Sequence, residues 1–99
     1  MEHTHEELCG ILNGQAGKLR WAELEKHFAR GVIIKIDPEM DLVEVAAAIV
    51  EDNKVVMETW MKEAKLSNAD EKDATDWLQR QPEFWAVVVA PWVVVQEIV

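Results

Sequence analysis

Apolar and polar positions along the chain follow two periods, and the changes between them mark most of its elements. Leu8, Ile11 and Leu12 recur at helical spacing behind Thr4, and Glu7 stands three residues after Thr4 as in a capping box. Gly10 and Gly14 weaken this first helix, each costing about 1 kcal/mol relative to Ala, and Gly17 falls beyond its end. Trp21, Leu24 and Phe28 form a second helical stripe, stopped by Gly31 directly after Arg30. From Val32 to Ile36 the chain is β-branched except for Lys35. Asp37-Pro38 closes that run, so a short strand and a turn are expected.

Asp41 reads as a helix N-cap with Glu44 three residues on. Leu42, Val45, Ala46 and Ile49 make one apolar stripe, and Val43, Ala47 and Val50 a second. A helix apolar on two faces is buried on two sides. Glu51-Asp52-Asn53 interrupts the pattern, which resumes with Met57, Trp60, Met61 and Ala64. One bent helix or two joined at Asp52 fit this pattern; no Gly or Pro intervenes, so a near-continuous helix is expected. Residues 67–70 form a loop and cap, with Asn68 and Glu71 as a capping box. Ala74, Trp77 and Leu78 form the inner face of a final helix, ended by Pro82.

The chain closes on WAVVVAPWVVVQEIV. From Trp85 to Val95 six of eleven residues are Val, and only the two indoles can form side-chain hydrogen bonds. Val suits a pleated strand, and the lack of polar alternation predicts that both faces are covered. Pro91 has no N–H to donate and belongs at an edge or a bulge. Two half-strands follow, 85–90 and 92–98. The expected fold is α+β: a small two-stranded (or dimer-extended) sheet packed against four to five helices, in the order α-α-β-α(α)-α-β. The expected core holds Leu24, Phe28, Ile34, Leu42, Val45, Ala46, Ile49, Trp60, Trp77, Leu78, Val87 and Val89. Strand direction stays open.

With two strand segments, the run 32–36 can pair with only one terminal half-strand. The other then shows an unpaired apolar edge, which proteins normally protect. The chain's own helices can cover that segment, or a second strand can add to it across a two-fold axis or from another protein. Strand addition is the expectation. It makes the protein a homodimer, with Trp85, Val87, Val89, Trp92, Val93 and Val95 at the interface of residues 85–98.

Composition narrows the partners. Ninety-nine residues make one domain, 1–99, with residues 1–6 expected to fray. An apolar fraction of 49% argues against disorder. Nineteen acidic residues against ten basic ones give a charge of -9, with no local basic patch. Nucleic acid and anionic lipid are therefore not expected as partners. Cys9 is the only cysteine, which excludes a disulfide scaffold. The terminal apolar run is about half the ~20 residues of a membrane helix and is interrupted by Pro91. The opening MEHTHEEL lacks a secretory pattern. A cytoplasmic protein without membrane contact is expected. Five Trp with no Tyr suggest indoles that each span core and rim.

Three groups of residues carry candidate chemistry. His3, His5 and Cys9 are ligand types for a soft or borderline metal, set against incidental histidines on a fraying end; no metal and no cofactor is expected. Asp37, Asp41 and Glu44 can hold a ligand or magnesium beyond a strand end. Equally, Asp37 can make the turn, Asp41 the cap and Glu44 the box. His27, Arg30 and Glu97 can do acid–base work, or be a surface His beside an Arg30–Glu97 ion pair. Ser67 is the only serine and lies in a polar loop, and the four glycines lack phosphate-loop spacing. A non-catalytic interaction or assembly module is the leading reading. A small-ligand-binding protein or enzyme using the acidic groups after the first strand is the alternative.

Leu19-Arg20-Trp21-Ala22-Glu23-Leu24 with Phe28-Ala29-Arg30-Gly31 resembles the opening of a small bacterial family, domain of unknown function 2288. Asp37-Pro38 with Asp41-Leu42-Val43-Glu44-Val45-Ala46 is similar to its middle. Trp85-Ala86-Val87-Val88-Val89-Ala90-Pro91-Trp92-Val93 with Gln96-Glu97 resembles its ending. The likeness runs from about Leu19 to Glu97, and the closing motif is its most specific part. It implies a bacterial cytoplasmic protein and brings no activity, cofactor or catalytic residue.

Overall fold

The structure is a computed structural model that describes residues 4–98. Its elements are α1 (His5–Gln15), β1 (Gly17–Arg20), α2 (Trp21–Ala29), β2 (Ile33–Ile36), α3 (Leu42–Val50), α4 (Lys54–Lys62), β3 (Leu66–Asn68), α5 (Glu71–Arg80), β4 (Glu83–Val89) and β5 (Trp92–Glu97). The strands form one sheet in the order β1-β4-β5-β2-β3. β5 runs parallel to β2, and every other pairing is antiparallel.

The class is α+β as expected, but the sheet has five strands rather than two. The missing ones are β1, sequence GKLR, and β3, sequence LSN. Four and three residues are too few for a period of two to stand out. Pro91 does not bend a single strand. It forms the turn of a β4–β5 hairpin through a cis Ala90–Pro91 peptide, where a missing N–H costs the ladder nothing.

This topology answers how the terminal apolar run is covered. β5 is the central strand: Val93–Gln96 pair with Ile33–Ile36 on one side, and the strand pairs with β4 on the other. β4 is itself paired by β1 along 83–86, and only 87–89 lack a neighbouring strand on that side among the described residues. The free edge expected along residues 85–98 thus shrinks to three residues. The sheet edges are β1, with exposed Lys18 and Arg20, and the short β3, both poor templates for pairing.

Helices cover both faces. Alternate residues of the strands point opposite ways. Ile34, Ile36, Val87, Val89 and Val94 pack with Leu12 of α1 and Leu42, Val45, Ala46 and Ala47 of α3. Ile33, Phe84, Ala86, Val93 and Val95 pack with Trp21 and Leu24 of α2 and Trp77 of α5. On that second face Trp77 stacks edge-on to Phe84 with centroids 4.9 Å apart. Two covered faces explain a strand with no polar alternation.

Several expectations need correction. Leu78 faces solvent at 59% exposure, leaving Trp77 as the buried residue of α5, while Phe28, Ile49 and Trp60 are half-buried. α3 and α4 are separate helices: Asp52 takes a left-handed conformation (φ 54°), and the Asn53 side chain caps α4 by accepting from Val56 N. The α5 capping box is Asp70 with Asp73, not Asn68 with Glu71, because Asn68 belongs to β3. Trp21 and Trp77 lie in the core rather than at a rim, and the buried Trp21 Nε1 has no hydrogen-bond partner. At the other end, α1 already begins at His5, with Thr4 Oγ1 accepting from Glu7 N at 3.1 Å.

Candidate functional site

Lys35 is the one charged residue of β2, and it points to the face covered by α2 and α5. Its ammonium lies 2.6 Å from Asp73 Oδ1. Asp73 sits in the first turn of α5, where its other carboxylate oxygen accepts from Asp70 N at 3.0 Å, so one side chain both caps a helix and holds Lys35. One turn on, Asp76 binds Arg80 through both oxygens, at 2.7 and 2.6 Å, and Arg80 Nη2 reaches Glu97 Oε1 of β5 at 2.7 Å. The Arg80 hydrogen bonds hold the Asp76 carboxyl below the ordinary carboxylate range, and the bonds to Asp76 and Glu97 push Arg80 upward. Backbone donation from Asp73 lowers Asp70 likewise.

Lys35, Asp73, Asp76 and Glu97 help wall a cavity of about 210 Å³ beyond the carboxyl ends of the parallel pair β2 and β5. Its wall carries four carboxylates, from Asp37, Asp73, Asp76 and Glu97, against two ammonium groups, from Lys35 and Lys65. Trp77, Phe84 and Val95 supply an apolar base. The loop at its rim is fixed by main chain: Asp37 N donates to Lys65 O at 2.9 Å. From β5, Gln96 Nε2 donates to the carbonyls of Asp37 (3.1 Å), Pro38 (3.3 Å) and Met40. Ligands of open α/β sheets commonly sit beyond strand carboxyl ends, in a concavity with a few convergent polar groups.

On the opposite face of the sheet, α1 and α3 bring a second cluster together. His5 Nε2 lies 3.0 Å from Glu44 Oε2 and 3.5 Å from Cys9 Sγ, and Cys9 Sγ lies 3.6 Å from Glu44 Oε1. His5 Nδ1 faces Glu51 at 3.1 Å. Hydrogen bonds to Glu44 and then Glu51 raise the His5 pKa, and burial followed by the Glu44 charge raises that of the Cys9 thiol.

The residues singled out from sequence are thus dispersed. Asp37 lines the cavity, while its Oδ1 also accepts from Glu39 N at 2.8 Å as a turn residue should. Asp41 caps α3 by accepting from Val43 N at 2.9 Å. Glu44 belongs to the His5–Cys9 cluster. His27 and Arg30 precede β2, at its other end from Asp37, and Glu97 pairs with Arg80 rather than with Arg30. His3 lies outside the described residues. Of the interface candidates, Val87, Val89, Val93 and Val95 are buried within the chain and Trp92 is half-buried. Trp85 is 40% exposed, with Lys18 Nζ 5.2 Å from its ring centre. Lys35, Lys65, Asp73 and Asp76 were not singled out. Lys35 alone carried a signal, as the one charge in the β-branched run 32–36.

Over residues 7–97 the chain matches the family described as "Protein of unknown function (DUF2288)". The solution NMR structure of PA1075 from Pseudomonas aeruginosa is similar at 42% identity and a TM-score of 0.83, covering 100% of this chain and 94% of that one. Comparison with curated proteins finds no match. No helix among the described residues is long and apolar enough to cross a membrane.

Proposed function

This chain belongs to the DUF2288 family of proteins of unknown function, and we propose that it is a non-catalytic binding protein for a small amine-bearing ligand. The observation that carries this reading is the cavity between β2, β5 and α5, where four carboxylates face Lys35, Lys65 and the adjoining Arg80, a net excess of one negative charge, around an apolar base. An ammonium group would be held by carboxylates already oriented by Lys35, Arg80 and backbone N–H groups, so little ordering is left to offset on binding. The volume of about 210 Å³ suits a ligand of amino-acid size. A single cysteine fits the cytoplasmic setting read for this chain.

A thermal-shift screen with alkyl diamines, basic and neutral amino acids, and inorganic phosphate tests the reading. A concentration-dependent rise in Tm with an amine, lost in Asp73→Asn, is expected. Stabilisation by phosphate alone would point to the lysines instead and overturn the amine assignment.

Homodimer formation remains as a second reading on a different observation. The unpaired stretch 87–89 of β4 borders one groove with exposed Ile11 (41%) and Val50 (48%) of α1 and α3. A contiguous apolar patch next to a free strand edge favours a second copy of the chain. Sedimentation equilibrium at low micromolar concentration tests it; a monomer there removes the reading.

A further inference from the structure

We propose that His5, Cys9 and Glu44 form a binding site for a borderline divalent cation, zinc above all, that pins α1 to α3. The site lies on the opposite sheet face from the amine cavity and is independent of it. His5 and Cys9 are four residues apart on α1 and so share one helix face. Glu44, in the first turn of α3, supplies the third donor. One ligand atom from each of the three residues falls within a group whose members all lie within 4.8 Å of one another.

The spacing suits a tetrahedral ion. Zinc bonds of about 2.0 Å to nitrogen and 2.3 Å to sulfur place neighbouring ligand atoms roughly 3.5 Å apart. Cys9 Sγ lies 3.5 Å from His5 Nε2 and 3.6 Å from Glu44 Oε1. The His5 Nε2 to Glu44 Oε2 separation of 3.0 Å needs only a small carboxylate rotation.

The group behind the ligands fits as well. A metal-binding imidazole commonly donates its other N–H to a carboxylate, which fixes ring and tautomer. Glu51 stands in that place, 3.1 Å from His5 Nδ1, and would fix the tautomer in which Nε2, now turned to Glu44, takes the metal. The donor set decides the ion: thiolate and imidazole favour zinc, cobalt, nickel or copper over magnesium or calcium. Half-exposed His5 and Glu44 leave the fourth position to water. Binding releases the Cys9 thiol proton, and the Nε2 proton of His5 where the imidazole is charged, to solvent, and forms sulfur–metal and nitrogen–metal bonds with no change of oxidation state.

Cobalt(II) is the probe. Chelator-treated full-length protein, kept reduced with a phosphine, is titrated with cobalt(II) and followed by absorption. The expected result is saturation at one equivalent, with tetrahedral ligand-field bands and a thiolate-to-cobalt charge-transfer band, both lost on adding zinc. Cys9→Ser should remove the charge-transfer band while the far-ultraviolet circular dichroism stays unchanged. Glu51→Gln should keep the spectrum and weaken affinity about tenfold or more. Zinc should raise the Tm of the parent and not that of Cys9→Ser. Absence of saturable cobalt binding, or a spectrum that survives Cys9→Ser, overturns the site.

Discussion

Gln96 sends its amide from the central strand to the carbonyl of Asp37, 3.1 Å away, and the same nitrogen serves Pro38 and Met40. One buried side chain thereby shares its two amide hydrogens among the carbonyls of the loop that carries the cavity rim. Gln96→Leu would keep the volume and remove the donor. A loss of about 1 kcal/mol is expected, the net worth of the hydrogen bonding removed from a part-buried loop whose Asp37 carbonyl also accepts from Met40 N at 3.0 Å, measured by urea unfolding. A variant as stable as the parent would mean that the loop holds itself.

Lys35 and Asp73 tie the sheet to the start of α5. Lys35 is more than a third exposed, so solvent screens the pair. Lys35→Met should cost about 1 kcal/mol or less and leave the capping box intact. It should also raise the affinity for an amine, because a competing cation leaves the wall. Calorimetric titration with a diamine checks the sign; weaker binding would show Lys35 to be a ligand contact.

Val93 and Val88 stand opposite one another in the β4–β5 hairpin, one 3% and the other 60% exposed. Val93→Lys buries an unpaired charge beneath α2 and α5 and should cost several kcal/mol, enough to unfold a domain of this size. Val88→Lys should stay within about 0.5 kcal/mol of the parent. Circular dichroism melts separate the two. A folded Val93→Lys protein would contradict the central position of β5.

Asp70 and Asp76 have folded pKa values below their ordinary 3.8. Groups depressed in the folded state contribute stability above the unfolded value, and that contribution is lost as pH falls through the folded one. The parent should therefore exceed Arg80→Met in stability at neutral pH. The gap should close as pH drops below 3.8 and through the folded pKa of Asp76. A gap that persists in acid would mean that Arg80 acts by packing alone.

Most of the helices were legible in sequence because each carries an apolar stripe or a cap of its own: Thr4, Asp41 and Gly31 mark boundaries where the structure has them. The break between α3 and α4 was not, because it depends on Asp52 adopting a left-handed backbone without a glycine. The strands β1 and β3 exist through pairing with β4 and β2, a non-local cause with no local pattern. Missing them created the apparent orphan edge along residues 85–98. The candidate sites were legible only in part, for a related reason. Lys35, Asp73 and Glu97 are far apart in the chain and meet at one end of the sheet. His5 and Cys9 could be paired from their spacing, but Glu44 joins them only through the packing of α3 on α1.

The most direct test of the binding reading is a ¹H–¹⁵N correlation titration of the labelled protein with an alkyl diamine. Saturable shifts confined to the amides of Lys35, Asp37, Ser67, Asp73 and Asp76 are the predicted result, with β1 and the α1–α3 face undisturbed. Absence of saturable shifts, or shifts centred on Ile11, Val50 and Val88, would contradict the cavity as the binding site.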